Sequence, residues 1–439
     1  MTIVQEAVRP GFAHRVQLLG TENAFKIGPW IKEVEDAGNR VIRCNIGEPD
    51  FPLPEHIATE VKRQIDAGQT HYVDPQGIEP LRVAIAKTAS ERRGIKVTPD
   101  RVVVFPGAKP PIGFSQQIYC EAGDQVIYPS PGFPIYESFT RFVDAVPMPL
   151  QLREENGFAF TGRELEALIT PRTKLIFVNF PSNPTGGVAT REQLEGIAEV
   201  IRSEAPPDVR VYSDEVYEDI LFDGVRHESI ASLPGMAERT IIVGGVSKSY
   251  AWTGGRVGWA ILPTVEEAAV FRTFNINYFS CIPAYNQHGA RVALESPESQ
   301  LSIAAMTGEF QTRRDYVVES LNQIPGIRCE KPRGAFYVFP NIGGACRALG
   351  AVDAWESMSP GDRKKTSPAT LFQQFLLFHH HVATLDRRSF GVLGSEGSHF
   401  LRLSIATSMV DLHEAMARIR AAATDRAGFQ SFVSKARFV

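Results

Sequence analysis

The chain is poor in the features that mark several large classes of protein. It has no basic surplus: 46 Lys and Arg stand against 50 Asp and Glu, a net charge of −4. Nothing in it builds the positive footprint that nucleic acid requires, and no nucleic-acid partner is expected. It has no long apolar run. Stretches such as KLIFVNF (174–180) stop far short of the roughly 20 residues that cross a bilayer, so no membrane span is expected. The start, MTIVQEAVRPGFAHRV, lacks the basic stretch and apolar core of a secretory signal. Cysteine is scarce and scattered. Cys44, Cys120, Cys281, Cys329 and Cys346 show no CxxC spacing, which fits reduced thiols in a cytoplasmic protein, mostly small core residues. Internal repeats and low-complexity tracts are missing too.

What is present is an ordinary globular composition, 43% hydrophobic and 22% charged, over 439 residues. That length exceeds what one small core organises. RVVVF (101–105), DQVIYP (124–129), KLIFVNF (174–180), VRVYSDE (209–215), TIIVGGVS (240–247) and VGWAIL (257–262) are short, β-branched runs that predict buried strands. Amphipathic stretches such as REQLEGIAEVIRSE (191–204) separate them. Strand–helix alternation of this kind predicts an α/β fold whose mostly parallel sheet lies between helices, with ligands at the carboxyl ends of the strands. Residues 1–60 are expected to form an N-terminal arm and part of a small domain, 61–309 the large domain, and 310–439 the rest of the small α+β domain. GGACRALGAVDAWESMSPGDRKKTSP (343–368), rich in Gly, Pro and charge, reads as a surface insertion.

Several motifs fall where those strands end. GGVSKSYAWTGGRVGWA (244–260) frames Lys248 with Ser247 and Ser249 and puts Arg256 eight residues later. VYSDEVYEDI places Asp214 and Tyr217 three apart. NFPSNPTGG sets Asn183 in a turn, and FPGAKPPIGF puts Gly107, Ala108 and Lys109 before a helix whose first turn holds Pro110 and Pro111. Free amides at a helix start bind phosphate, and an arginine supplies the matching cation. Each alone has a plainer explanation: a helix-start lysine, a capping aspartate, a packed tyrosine, a common turn. His379, His380 and His381 are adjacent and cannot all face one ion from a regular element. They predict the end of a helix, and no metal is expected.

Together with NIGEPDF, THYVDPQGIEPLRVAIA, PSPGFPIYES, GAFYVFP and FLRLSIATS, these motifs make the chain, from about residue 20 to about residue 420, resemble the class I/II aminotransferases. Those are fold type I pyridoxal-phosphate enzymes of the aspartate aminotransferase type. The resemblance implies a seven-stranded sheet and pyridoxal 5′-phosphate as cofactor, held in the large domain. Lys248 becomes the Schiff-base lysine and general base, Asp214 the partner of the ring nitrogen, and Tyr217 and Asn183 the partners of the ring 3′-oxygen. Phe133 stacks on the ring, while Ser247, Arg256 and the amides of Gly107, Ala108 and Lys109 take the phosphate. Tyr72 reaches the phosphate in a partner subunit, which implies a homodimer with shared sites. Arg402 clamps the substrate α-carboxylate, with Gly47 and Asn183 lining the same subsite.

The implied reaction is a ping-pong transfer of an amino group between an L-amino acid and a 2-oxo acid. A β-lyase or a cofactor-dependent oxidase on the same scaffold is the alternative. A cofactor-binding transcription regulator is remote, since the first motif begins near residue 22 and leaves no room ahead for a winged helix. Two departures stand out. Gly245 occupies the place three residues before the lysine where many relatives carry Ser or Thr, and LDRRSFG (385–391) replaces their PGSAFG. The second change sets Asp386, Arg387 and Arg388 near the substrate mouth, with ordinary surface charge expected for both arginines. For the substrate side chain, Lys109 favours acidic amino acids slightly. Glu22 in TENAF (21–25) opposes them, and Phe25 and Phe133 suit an apolar or aromatic group.

Overall fold

In the computed structural model, which describes residues 11–20 and 22–435, seven short segments make one sheet. They are β1 (Val102–Phe105), β2 (Gln125–Ser130), β3 (Val146–Gln151), β4 (Thr173–Asn179), β5 (Arg210–Asp214), β6 (Thr240–Gly245) and β7 (Gly258–Ile261). Their order across the sheet is β1-β7-β6-β5-β4-β2-β3, and β7 alone runs antiparallel to its neighbours. β1 and β7 are buried at every residue, and β4 and β5 at nearly every one. Helices cover both faces, which is why these strands read as continuous apolar runs instead of alternating ones. The reading of residues 1–10 as no secretory signal lies outside the described residues, as does Thr21 of TENAF.

Six of the strands stand where the sequence predicts them, within a residue or two. The seventh, β3, was not legible: its segment VPMPLQ carries Pro147 and Pro149. Proline removes a ladder donor and is confined to sheet edges, and β3 is the edge, paired only with β2. The helix Arg191–Glu204 matches its predicted span. Thr190 caps it, accepting from the Gln193 amide while the Gln193 side chain accepts from Thr190, the reciprocal box that fixes a helix start.

A second core gathers beside the sheet from distant parts of the chain. Tyr337–Val338, Leu401–Ser404 and Leu385–Asp386 form a small antiparallel sheet, and Ile42–Arg43 pairs in parallel with Val382–Ala383. Phe310, Val317, Phe336, Phe375, Leu403 and Met416 pack with Ile42 in one apolar cluster. The stretch 343–368 departs from expectation. It opens with two helices, Gly343–Leu349 and Ala351–Glu356, that bury Ala345, Cys346, Leu349 and Ala351 in this core. The spacing of these apolar residues outweighs the glycines around them, and only the part near Ser357–Lys365 is surface. His379 and His380 close the helix Pro368–His380, and His381 caps it with a positive φ of 55°.

One ion-pair network locks helix Glu79–Arg93 to the turn after β5. Arg93 donates through Nε and Nη2 to Glu215 and through Nη2 to Glu218 Oε2 at 2.6 Å. Ser213 and Ser229 each donate to Glu215 Oε1 at 2.6 Å, and His227 Nε2 lies 2.9 Å from Oε2. Burial by itself drives the Glu215 carboxyl up, yet Arg93 and His227 hold it well below the ordinary carboxylate range. Glu215, Glu218 and His227 offer three ligand atoms within 4.8 Å of one another, and the Arg93 guanidinium already supplies the charge that cluster calls for. Removing one partner of a buried pair strands the other. Arg93→Met should therefore cost on the order of 3 kcal/mol in urea unfolding, and Arg93→Met with Glu215→Gln should recover most of that loss. An unchanged unfolding midpoint in the single variant would show that the network contributes nothing.

Candidate active site

The carboxyl ends of β1, β4, β5 and β6 converge on one edge of the sheet. β1 runs into Gly107, whose φ of +92° suits glycine alone. A Cβ there would lie 2.3 Å from Arg256 Nη2, and one on Gly258 would lie 2.4 Å from the Gly107 carbonyl carbon. These close approaches bring the Arg256 guanidinium onto the loop that starts helix Pro110–Tyr119. Arg256 donates to the carbonyls of Thr253 at 2.9 Å and Pro106 at 3.1 Å and, among the described residues, to no carboxylate, so its charge is open to an anion. The Gly107 amide is engaged with Phe105 O at 2.7 Å, so of the three amides expected to take a phosphate it already has an acceptor. Ser247 sits half-buried in the turn between β6 and Lys248. Gly245, in place of a hydroxyl residue, is pressed against the β7 backbone, with an added Cβ only 3.1 Å from Gly258 Cα.

β4 and β5 end side by side, Asn179 opposite Asp214 in the register. Asp214 is buried. Tyr136, on helix Ile135–Phe142, donates its hydroxyl to Oδ2 at 2.6 Å, and Oδ1 has no partner among the described residues. Burial pushes this carboxyl up to about 6, against the pull of Tyr136 and the Val216 amide. A buried carboxylate oxygen with an open lone pair calls for a cation. Asn179 ties the region together, donating to Asp214 O at 3.2 Å and accepting from the Asn183 amide at 3.2 Å. Tyr217 lies hydroxyl to hydroxyl with Tyr337 at 2.7 Å. Tyr337 in turn covers Gly47: a Cβ there would meet the phenol oxygen at 2.1 Å.

Lys248 donates to Gly47 O at 2.6 Å, with its ammonium 5.8 Å from the Tyr217 ring and 5.7 Å from that of Phe336. Burial, aided by the positive charge of Arg402, pushes it down to about 8. Arg402, on Leu401–Ser404, is buried over the rings of Tyr337 (4.4 Å) and Phe390 (4.9 Å). It donates to Asn183 Oδ1 at 3.1 Å and Asn45 O at 2.5 Å, and among the described residues it meets no carboxylate and its Nε is unpartnered. Burial lowers this guanidinium as well. The site thus holds a buried anion and a buried cation, each short of an opposite charge, within reach of a partly neutral amine.

Most of the residues singled out in the sequence meet here. Phe133 packs edge-on against Tyr136 at 5.8 Å and under the Lys109 ammonium at 5.6 Å. Tyr72 does not join them: it is 88% exposed. Phe25 is 69% exposed and faces water. Arg387 is a correction. Instead of surface charge it is fully buried, donating to Ser130 Oγ at 2.8 Å and to the carbonyls of Gly391 and Gly394. Burial pushes it down to about 10. Loop carbonyls folded over a fork of donors can hold such a group without a carboxylate. Asp386 is buried too, bonded to Ser389 and Thr370, and only Arg388 reaches the surface, donating to Lys364 O. Tyr136, Tyr337 and Asn45 escaped the sequence reading. Tyr136, three residues after Phe133 at a helix start, was the one whose spacing pointed at the site.

The family model for aminotransferases of class I and II matches residues 39–419. An aspartate aminotransferase of Rhizobium meliloti is 36% identical over 97% of this chain and all of its own length. An aspartate/prephenate aminotransferase of Cereibacter sphaeroides is 37% identical over 89% of this chain and 93% of its own. The crystal structure of an aspartate aminotransferase from Rhizobium meliloti superposes with a TM-score of 0.84 at 34% identity, covering 95% of this chain and 99% of that one. The chain belongs to the class I and II aminotransferases, has their α/β fold, and is a transaminase.

The unpaired Asp214 generates a pH signature. Its carboxyl holds a proton up to about 6 in the folded chain against 3.8 when free. The cofactor-free protein should therefore lose stability as pH rises through that interval, because ionisation strands a buried charge. Asp214→Asn should match the native protein near pH 4 and exceed it by on the order of 2–3 kcal/mol above pH 6 in urea unfolding. Parallel curves for the two proteins would show that Asp214 ionises freely.

Proposed function

We propose that this transaminase holds pyridoxal 5′-phosphate at the carboxyl edge of its sheet and works in two half-reactions. In the first an L-amino acid leaves its amino group, and in the second a 2-oxo acid collects it. The observation that carries the reading is the pair of buried, uncompensated charges, Asp214 and Arg402, both within electrostatic reach of the Lys248 amine. Asp214 Oδ1 suits a protonated ring nitrogen and Arg402 suits an α-carboxylate. Arg256, Ser247 and the Gly107–Lys109 loop suit the phosphate. Tyr217 and Asn183 suit the ring's 3′-oxygen, and Phe133 suits its face. Once bound, the cofactor supplies a sink for the electrons left at the substrate α-carbon.

The chain's own groups do the rest. Lys248, near 8, is neutral often enough around physiological pH to attack a carbonyl and to take the proton from the substrate α-carbon. Arg402, steadied by Tyr337 beneath it and by Asn45 O and Asn183 Oδ1, fixes the α-carboxylate, so that the proton to be moved faces Lys248. The Tyr337 hydroxyl holds that of Tyr217 in place. Tyr136 holds Asp214 from the side that the ring nitrogen does not use. Borohydride reduction of the loaded protein followed by peptide mapping should find the cofactor's mass on Lys248. A label on another lysine would overturn the assignment.

Acidic amino acids, aspartate or glutamate, are the proposed donors, supported by the Lys109 ammonium at the mouth and by relatives named for aspartate. The proposed location is the cytoplasm, supported by five cysteines that are all free. The division into segments 1–60, 61–309 and 310–439 is proposed on the two cores and on the strand pairing of Ile42–Arg43 with Val382–Ala383. The active unit is proposed to be a homodimer in which Tyr72 of one copy completes the phosphate site of the other. Support comes from the outward Tyr72 and from exposed Ile276, Tyr278 and Phe279 at the end of helix Val265–Phe279, a patch that suits an interface. Mixing inactive Tyr72→Ala and Lys248→Ala proteins should form hybrids in which one site carries both lesions and the other neither. Activity should return toward a quarter of wild type under random exchange, a figure on the order set by symmetric pairing. No recovery despite proven exchange would make each site self-contained.

A further inference from the structure

Beside Phe133 at the site, one cation and one anion are paired with each other. Lys109, at the N-cap of helix Pro110–Tyr119, extends its ammonium to the Glu22 carboxylate. Glu22 is not a stray surface acid. Its side chain is only 19% exposed where that of Lys109 is 45%, and the backbone is tied down on both sides of it. The Gly20 amide donates to Ser138 Oγ at 2.8 Å. Asn23 Nδ2 donates to Ser389 Oγ at 3.0 Å, and Ala24 O accepts from Asn45 Nδ2 at 3.4 Å. Asn45 is the residue whose carbonyl holds Arg402, so Glu22 is placed against the substrate site by the same residue that orients its carboxylate clamp. The Glu22 charge reaches the working groups: after burial, which lowers both, it acts on Lys248 and Arg402 in the opposite direction.

We propose that Glu22 is a specificity-determining residue: by occupying Lys109 it penalises a substrate side chain that ends in a carboxylate and leaves uncharged side chains unpenalised. This rests on the reading of the site as that of an aminotransferase that admits acidic donors. A side chain ending in a carboxylate has to draw Lys109 away from Glu22 and then lie beside a like charge. An uncharged side chain leaves the pair intact and packs on Phe133, whose ring already lies under the Lys109 ammonium. The site so built accepts both acidic and apolar or aromatic amino acids, with Glu22 setting the ratio between them.

The test measures half-reactions of the loaded enzyme with aspartate and with phenylalanine, read from the cofactor's absorption. In Glu22→Gln the ratio of kcat/KM for aspartate to that for phenylalanine should rise about tenfold, mostly through a lower KM for aspartate. Glu22→Asp, which keeps the charge, should hold that ratio near the wild-type value. Lys109→Ala should lower the ratio by about tenfold. If Glu22→Gln leaves the ratio unchanged or lowers it while Lys109→Ala still lowers it, the role of Glu22 falls and the acidic-donor reading stands. If Lys109→Ala reduces both substrates equally, the acidic-donor reading falls and the role of Glu22 falls with it.

Discussion

Asp214 and Arg402 are buried without opposite charges, and much of the architecture serves to keep them so. Taking an ionised group out of water is costly unless something charged or polar replaces the solvent. Here the replacement is deliberately incomplete. Among the described residues Tyr136 satisfies one oxygen of Asp214 and nothing satisfies the other; Asn45 and Asn183 take two donors of Arg402 and leave Nε open. A site with one unmet anionic and one unmet cationic demand discriminates for ligands carrying both complements.

Two carboxylates adjacent in the chain show how local the control is. Asp214 and Glu215 share the end of β5, and both are buried. Asp214 is raised to about 6 by burial, which the neutral donors Tyr136 and the Val216 amide offset only in part. Glu215, one residue on, meets Arg93 and His227 and is held far below the ordinary range. Successive residues at a strand end point to opposite sides, so one faces the site and the other the helix Glu79–Arg93. The paired carboxylate anchors the turn that positions its unpaired neighbour. Stability and chemical demand are thus separated by a single step along the backbone.

The mouth of the site follows different rules. Lys109 and Glu22 are partly wet, their attraction is modest, and a substrate can compete for either one. The interior charges, Asp214 and Arg402, are buried and beyond such competition. In the proposed reading the surface pair bears only on which substrate side chain is admitted. Lys248, lowered to about 8 between these two regimes, responds to both, since burial and Arg402 act on it from within and Glu22 from outside.

The residues of strongest local pattern were fully legible in the sequence. Six apolar runs became strands, Pro110 and Pro111 opened a helix, and Lys248, Asp214 and Asn183 came to one place, because strand ends in a parallel sheet share an edge whatever the intervening chain does; Arg402 joins them from the small antiparallel sheet. What tertiary structure decided was partnership. VPMPLQ is a strand only because a sheet edge forgives two prolines, and 343–356 is core only because Ala345, Cys346, Leu349 and Ala351 find a partner face. Arg387 is held by carbonyls of its own loop from Phe390 to Gly394 and, across 257 residues, by Ser130 at the end of β2, the partner that local sequence could not announce. Tyr136 and Tyr337 reach Asp214 and Tyr217 across separations of 78 and 120 residues. Periodicity and turn chemistry act over a few residues and can be read in order. Which charge goes without a partner depends on what the fold brings beside it, and that is settled only when the chain has closed.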